Sequence, residues 1–191
     1  MKHRLFVAVD LPGEVKSQIE KLQLTLDKLR LPVKWELPQK VHLTLSFLGR
    51  LTDENVNQVR RIVANTARIF SPHKLQLVAL GTLYQRHEPS LIYLQVTGRS
   101  GELTALQAEL ARRVDEITPQ PQHKFWAHVT IGRVLKSDPT VVKHSLDKLE
   151  EVDIDPLVEF EVDKICLYES FLTKAGSSYQ RLGSFNLGNK R

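Results

Sequence analysis

Apolar residues along the chain recur with two different periods, which separate predicted strands from predicted helices. Alternation of apolar and polar positions, or a short apolar run between turn residues, predicts a strand. The first such stretch, RLFVAVD, spans Arg4–Asp10. Further strands are predicted at Val33–Glu36, Val41–Leu48 (ended by Gly49), Lys74–Tyr84 (with a bulge or bend at Gly81), Ser90–Val96, Phe125–Val134, Leu157–Tyr168 and Tyr179–Leu187, the last two joined by a turn at Gly176–Ser178.

Between these strands, apolar residues recur every three or four positions and predict helices with one buried stripe each. Their predicted starts are Pro12, Thr52 or Asp53, Ser100, and Asp138–Pro139. Their predicted buried stripes are Val15, Ile19, Leu22, Leu26 and Leu29; Val56, Val59, Val63 and Phe70; Leu103, Leu106, Leu110, Val114 and Ile117; and Val142, Leu146 and Leu149.

Two of the predicted strands carry the same four-residue pattern of His, apolar, Thr, apolar. It reads HLTL at 42–45 and HVTI at 128–131, whereas a random chain of this composition would contain roughly 0.07 such motifs. Because successive side chains of a strand point to opposite faces, each motif places an imidazole and a hydroxyl side by side. The intervening apolar residues are expected to face the core.

The elements around the two motifs follow nearly the same order: helix, motif strand, helix and strand pair. This weak repeat, with motifs 86 residues apart, predicts an α+β fold of two similar, pseudo-symmetric lobes. The motif strands are expected to face each other across a central cleft lined by antiparallel sheets, with the helices on the outer faces. No linker separates the halves, so residues 1–191 are predicted to form a single bilobal domain.

Two histidines facing each other across a cleft can act as one general base and one general acid, because their unperturbed pKa of about 6.5 suits both roles. Thr44 and Thr130 would donate hydrogen bonds to non-bridging phosphoryl oxygens. This arrangement fits in-line displacement at phosphorus without a metal. Zinc is the weaker alternative, since catalytic zinc takes three protein ligands and no acidic residue lies beside either motif. One copy alone would more often be a half-buried His and a β-forming Thr.

Residues near the motifs add candidates for nucleotide binding. Arg133 follows the second motif, and alternation places it on the face opposite His128 unless a bulge at Gly132 re-aims it toward a phosphate. Aromatic candidates for stacking on a base are Trp35, Phe47, Tyr84, Phe125, Trp126 and Phe171. Cationic candidates for an RNA backbone are Lys34, Lys40, Arg50, Arg86 and Lys124, although each is more commonly a solvated charge.

Composition narrows the class of protein only slightly. The net charge is +5 and the pI is near 9.3, which is compatible with a polyanionic partner such as RNA. The single Cys166 excludes an internal disulfide and a cysteine-based zinc site. The apolar run Leu5–Val9 is too short for a secretory signal, and no apolar stretch approaches 18 residues, so we expect a cytoplasmic protein without a membrane span.

The two motifs, HLTLSFLG and HVTIGRV, resemble the paired His-x-Thr-x motifs of the two-histidine phosphoesterase superfamily, and more closely those of its RNA 2′,3′-cyclic phosphodiesterases, once described as tRNA 2′-5′ ligases. The opening RLFVAVDLP and Trp35 also fit that pattern, whereas Gly132 stands where Ala is more usual. In the closing segment, the matching residues are Glu169, Ser170, Leu172, Gly176, Tyr179, Leu182 and Phe185.

The resemblance implies hydrolysis of a terminal RNA 2′,3′-cyclic phosphate to a 2′-phosphomonoester, without metal or cofactor. It assigns His42 as the proton donor to the departing 3′-oxygen, His128 as the base that activates water, and Thr44 and Thr130 as phosphate ligands. Some members also join or cleave 2′-5′ RNA linkages. The expected partner is RNA such as a tRNA fragment, bound by a monomer.

Two other functions stay open at this point. One is a related phosphodiesterase acting on small cyclic or 2′-5′-linked nucleotides. The other is a non-catalytic nucleotide or RNA-binding module in which the motifs only grip a phosphate.

Overall fold

The computed structural model describes residues 2–119, 124–136, 146, 148–149, 152, 154–157, 159–173 and 176–188. The helices whose bounds fall in these ranges are α1 (Gly13–Asp27), α2 (Asp53–Ala67) and α3 (Ser100–Asp115), with a short 3₁₀ turn at Pro38–Lys40; Leu146, Lys148 and Leu149 are also helical. The strands are β1 (Lys2–Asp10), β2 (Val33–Trp35), β3 (His42–Thr52), β4 (His73–Gln85), β5 (Glu88–Gly98), β6 (His128–Val134), β7 (Phe160–Val162), β8 (Lys164–Thr173) and β9 (Gly176–Asn186).

The fold is α+β, as the sequence predicts, and its strands form one curled antiparallel sheet. The strand order is β7-β4-β5-β6-β3-β1-β8-β9, with β2 added beside β6. The two motif strands are therefore neighbours at the centre, where they pair only at Leu43 and Val129. Beyond that point they diverge, and each heads one lobe of the bilobal sheet.

The lobes do not correspond to consecutive halves of the chain. The strand pair after the first motif, β4–β5, lies next to β6 and therefore belongs to the lobe of the second motif. The pair after the second motif, β8–β9, lies next to β1 in the lobe of the first motif. Only Asp163 separates β7, at one edge of the sheet, from β8 in the opposite lobe. Each lobe is thus completed by strands from the other repeat.

The core lies on the face of the sheet that carries the apolar motif residues. Leu43, Leu45, Val129 and Ile131 are buried in one cluster with the helix stripes. Helix α2 packs against β1, β3, β8 and β9, and α3 packs against α2 and β3. The side chains between these apolar residues are left for the opposite face of the sheet, where they remain partly exposed.

Several local predictions are corrected by the backbone. Gly49 does not end the first motif strand: it adopts φ 71° beside a bulge at Leu48, and the ladder with β1 continues to Thr52. The predicted turn at Gly176–Ser178 is wrong, because these residues pair with the end of β8. The second motif strand begins at His128 rather than at Phe125.

The predicted helix starts are confirmed in part. Thr52 caps α2 and its hydroxyl accepts a hydrogen bond from the Asn55 amide at 3.4 Å. Ser100 is not a cap, because it is the first residue of α3 and the N-cap position is Arg99. The predicted helix start at Asp138–Pro139 lies outside the described residues, although Leu146 and Leu149 of its stripe are buried.

Gly81 marks a close approach of an aromatic ring rather than the predicted bulge or bend. The bulges in the β4–β5 ladder lie near Val78 and at the end of β4, not at Gly81. A Cβ at Gly81 would instead stand 2.3 Å from the phenol ring of Tyr93 on β5. The glycine makes room for that ring, which packs edge-on against Trp126 beside the second motif. No helix in the described part of the chain is long and apolar enough to cross a membrane.

Candidate active site

A cavity of about 390 Å³ lies on the face of the sheet opposite the core, where β3 and β6 meet. All five residues singled out by the sequence line it: His42, Thr44, His128, Thr130 and Arg133. The alternation argument therefore places the two His-Thr pairs correctly, with one pair from each lobe.

Arg133 reaches the cavity because β6 contains a bulge just before it, as the sequence analysis required for this residue to face the same side as His128. Thr130 pairs with Tyr93 and Gly132 pairs with Ile92, so Ile131 is an extra residue on β6. One extra residue inverts the alternation that follows it. Arg133 consequently shares the cavity face with His128 and Thr130, although simple counting puts it on the other face.

The first motif contains a bulge at the equivalent position, which brings a residue of different chemistry into the cavity. Thr44 pairs with Ala8 and Ser46 pairs with Val7, so Leu45 is the extra residue. Phe47 then faces the cavity and is 66% exposed. The pseudo-symmetry therefore holds for the histidines and threonines and breaks one step later, where one lobe offers an arginine and the other an aromatic ring.

Both histidines are held in the same tautomer by backbone carbonyls. Nδ1 of His42 lies 2.7 Å from the Lys40 carbonyl oxygen, and Nδ1 of His128 lies 2.9 Å from that of Trp126. A carbonyl oxygen only accepts hydrogen bonds, so each Nδ1 carries a hydrogen and donates it. This leaves Nε2 of both rings as the nitrogen that can exchange a proton with a ligand.

The surroundings of the two imidazoles differ. His42 sits among aromatic rings: Phe6 at 5.0 Å, Tyr179 edge-on at 5.4 Å and Tyr168 at 6.5 Å between centroids. This burial lowers the pKa of His42 from its ordinary value, despite the opposing hydrogen bond to the Lys40 carbonyl. In the free protein, His42 is therefore neutral near pH 7.

The imidazole of His128 is stacked rather than enclosed. Its ring lies 4.6 Å from the Trp126 ring at an interplanar angle of 22°, with Tyr93 edge-on at 5.9 Å. Trp126 thus contacts a site histidine with both its ring and its carbonyl oxygen. Its place two residues before the second motif was the only sequence signal for this contact.

Glu36 is a site residue that the sequence analysis missed. Its carboxylate accepts a 2.8 Å hydrogen bond from Nε of Arg133 and lines the same cavity. Among the residues that the structure describes, the ion pair occupies Nε only, which leaves the terminal Nη groups of Arg133 for an anion. Glu36 is the residue after Trp35, at the end of the strand that pairs with β6, and that position was the available signal.

A buried glutamine holds the backbone that carries this ion pair. Gln23 on α1 is 6% exposed, and its Nε2 donates to the Glu36 carbonyl at 2.8 Å and to the Ile131 carbonyl at 2.9 Å. The Glu36 amide also donates to the Ile131 carbonyl at 2.9 Å. One side-chain amide therefore fixes both the bulged residue and the chain segment of Glu36. Position 23 lies on the buried stripe of α1. A polar residue at such a position is the signal from which the role of Gln23 could have been predicted.

The other sequence candidates divide between cavity and periphery. Lys40 lines the cavity, and its Nζ donates to the Ser177 carbonyl at 2.8 Å. Tyr179 also lines it and was noted only for its fit to a family pattern. Among the residues described, the candidates that do not line this cavity are Trp35, Tyr84, Phe125, Trp126, Phe171, Lys34, Arg50, Arg86 and Lys124.

No group of three His, Cys, Asp or Glu side chains suited to a metal ion occurs among the residues that the structure describes. The nearest arrangement of that kind, His3 between Asp53 and Glu169 at 2.8 and 2.7 Å, is a hydrogen-bonded cluster at the far end of β1. Metal independence stays a prediction.

Comparison with known families decides the relationship. The model of the 2′-5′ RNA ligase superfamily matches residues 11–170. The chain belongs to this superfamily. A curated relative from Aquifex aeolicus, named RNA 2′,3′-cyclic phosphodiesterase, is 30% identical over 187 residues, which cover 97% of either chain.

Solved structures agree with the superfamily fold. The protein TT0787 of Thermus thermophilus superposes with a TM-score of 0.80 at 25% identity, covering 98% of this chain and 100% of that one. E. coli LigT complexed with 3′-AMP superposes with a TM-score of 0.79 at 21% identity, covering 98% and 99%. The match to LigT shows a shared fold.

Proposed function

We propose that this member of the 2′-5′ RNA ligase superfamily is an RNA 2′,3′-cyclic phosphodiesterase that works without a metal. The observation that carries the proposal is the convergence of both His-Thr pairs on one cavity, with Nε2 of each imidazole available for proton transfer. The Aquifex relative and one from Thermotoga maritima, also 30% identical, both bear that name. That E. coli LigT was crystallised with a nucleotide monophosphate supports a nucleotide as ligand of this fold.

The proposed reaction is an in-line displacement at phosphorus. His128 removes a proton from water, whose oxygen forms the new bond to phosphorus. The bond from phosphorus to the 3′-oxygen breaks, and His42 donates a proton to that oxygen. Thr44 and Thr130 donate hydrogen bonds to the non-bridging oxygens, and the Nη groups of Arg133 neutralise their charge. The product is a 2′-phosphomonoester with a free 3′-hydroxyl.

His42 must carry a proton in the enzyme–substrate complex to serve as the donor. Burial lowers its pKa in the free protein, whereas the negative charge of a bound phosphodiester favours the protonated imidazole. Substrate binding therefore prepares the acid. A buried imidazolium whose counterion is the substrate also releases its proton readily once the 3′-oxygen begins to depart.

Phe47 is the proposed platform for the terminal base. It is the exposed aromatic side chain that lines the cavity, and it lies 6.2 Å from Phe6, which in turn packs against His42. Unpaired bases at RNA ends stack on such rings. A stacked base would hold the adjoining ribose near the His-Thr pairs, whatever the identity of the base.

A 2′-5′ RNA ligase activity is a second candidate, favoured by the superfamily to which the chain belongs. An RNA 5′-hydroxyl in place of water would attack the same phosphorus, lose its proton to His128 and leave a 2′-5′ linkage. Cleavage of that linkage is the reverse step. We propose a cytoplasmic monomer acting on RNA such as tRNA fragments.

The deciding experiment uses a short RNA ending in a 2′,3′-cyclic phosphate, with excess EDTA, and maps the product terminus. The wild type should form a 2′-phosphate, and His42→Ala and His128→Ala should each lose about 10²–10⁴-fold in rate. The matched control is His87→Asn, because His87 lies in the β4–β5 turn at φ 67°, which Asn tolerates. Near-full activity of His42→Ala would refute the mechanism. Saturable binding without product would favour the binding module, and turnover of mononucleotides alone would favour a small-nucleotide enzyme.

A further inference from the structure

A basic strip runs away from the proposed phosphate site along β1 and β3. On β1, Leu5 and Val7 are buried in the core, so Lys2, Arg4 and Phe6 share the cavity face. Arg4 pairs directly with Arg50 of β3, and directly opposite residues share a face of the sheet. Lys2, Arg4 and Arg50 therefore stand on one surface, beyond the phenylalanines.

The two arginines form a like-charge pair across neighbouring strands. Opposed like charges on neighbouring strands destabilise a sheet. Among the residues that the structure describes, neither guanidinium has a carboxylate within ion-pair distance. Two carboxylates near this end of the strands, Asp53 and Glu169, are both bound by His3, whose position in β1 points it away from the cavity face.

The arginines lie too far from the motifs to share their phosphate. Thr44 pairs with Ala8, and Arg4 is four residues away along β1, or about 13 Å at roughly 3.3 Å per residue. Arg4 nevertheless lines the same cavity as the motifs. Between the two positions stand Phe6 and Phe47, which pair across the strands. The order along the surface is thus phosphate site, aromatic ring, then cations.

We propose that Arg4 and Arg50 bind a backbone phosphodiester upstream of the terminal nucleotide, so that the site selects the 3′ end of a single-stranded RNA over a mononucleotide. Alternation of aromatic and cationic side chains is how proteins follow a single strand, because bases stack on the rings and phosphates meet the charges. This inference rests on the proposed function, since it takes the cyclic phosphate to lie between the His-Thr pairs.

The test compares a 2′,3′-cyclic mononucleotide with a short RNA that ends in the same cyclic nucleotide. The measured quantity is the ratio of kcat/KM for the RNA to kcat/KM for the mononucleotide, in wild type, Arg4→Gln, Arg50→Gln and the double variant. Each substitution should lower this ratio several-fold at low salt. The double variant should also reduce the slope of log KM for RNA against log salt by about 0.7, the value for one phosphate contact on a single strand, and each single variant should reduce it by less.

Arg61→Gln is the matched control, because Arg61 is exposed on α2, which packs on the core side of the sheet, and not on the face that carries Arg4 and Arg50. It removes the same charge and should leave the ratio unchanged. Folding is checked by melting temperature, which should rise in Arg4→Gln and Arg50→Gln because each relieves the like-charge pair.

The outcomes separate this inference from the proposed function. A ratio that stays at the wild-type value in Arg4→Gln and Arg50→Gln overturns the inference, whether both substrates slow equally or neither does. A wild type that turns over neither substrate instead overturns the proposed function. A wild type that turns over both equally well contradicts selection of RNA, while leaving the chemistry of the two histidines intact.

Discussion

Replacement of Gln23 by Leu should weaken the contribution of Arg133 to activity, although Gln23 lies on α1, which does not contribute to the cavity wall. The substitution keeps the side chain's approximate volume and removes the amide that donates to the Glu36 and Ile131 carbonyls. Two lost neutral hydrogen bonds cost about 0.5–1.5 kcal/mol each, or about 1–3 kcal/mol of unfolding free energy. The Ile131 carbonyl keeps the Glu36 amide as a donor, so the bulge loosens rather than disappears.

The expected loss of activity follows from what Arg133 contributes. A charge-assisted hydrogen bond is worth about 1.5–3 kcal/mol, so Arg133→Ala should lose about 10- to 150-fold in kcat/KM. Gln23→Leu leaves the Arg133 guanidinium present but loosens Glu36, whose carboxylate orients that guanidinium. It should lose roughly 3- to 10-fold, equivalent to about 0.7–1.4 kcal/mol.

A double-mutant cycle measured as kcat/KM distinguishes aiming from general destabilisation. If Gln23 acts through Arg133, Gln23→Leu should have almost no further effect in the Arg133→Ala background. Ile19→Val is the stability control, because Ile19 is fully buried one turn earlier on α1 and this change costs about 0.5–1.5 kcal/mol without touching the bulge. Equal losses with and without Arg133, or lower stability at unchanged kcat/KM, would refute the reasoning.

Three further predictions concern protonation and packing. Burial lowers the pKa of His42, so Tyr179→Ala should raise that pKa by exposing the imidazole; an unchanged NMR titration of the His42 ring in the free protein would be the contrary result. The carboxylates of Asp53 and Glu169 raise the pKa of His3. The cluster of these three side chains should therefore stabilise the fold fully below pH 6.5, and this contribution should be lost as the pH rises through the raised pKa. Urea midpoints of wild type and His3→Gln should then converge at alkaline pH, and a constant gap would be the contrary result. Gly81→Ala should cost about 1–3 kcal/mol by denaturant unfolding, because the new methyl meets the Tyr93 ring; an unchanged midpoint would show that the ring moves freely.

Sequence alternation was enough to place the catalytic candidates, because a strand's period of two is set by its own backbone. It placed His42, Thr44, His128 and Thr130 on one face without knowledge of the sheet. Arg133 marks the limit of that reasoning. Its face depends on whether Ile131 is bulged, and the bulge is held by Gln23, which lies 108 residues earlier in the chain.

The exchange of strand pairs between lobes could not be read from the sequence either. Alternation reveals that β4, β5, β8 and β9 are strands, but not which neighbours they choose. Gly81 shows the same limit, because a glycine at a bend and a glycine beside a closely packed ring cannot be told apart in the sequence. The missed Glu36 belongs to the site only because β2 pairs with β6.

The exchange of strand pairs between the lobes makes both histidine motifs depend on one continuous chain. If the chain were cut between the repeats, each fragment would hold one histidine motif and would lack strands that complete its own lobe. The connectivity is that of a strand-swapped dimer of a half-length protein whose two copies have been joined end to end. In such a dimer the acid and the base would come from different molecules and would meet only at high concentration. Joining the copies makes their encounter intramolecular, so activity becomes independent of dilution.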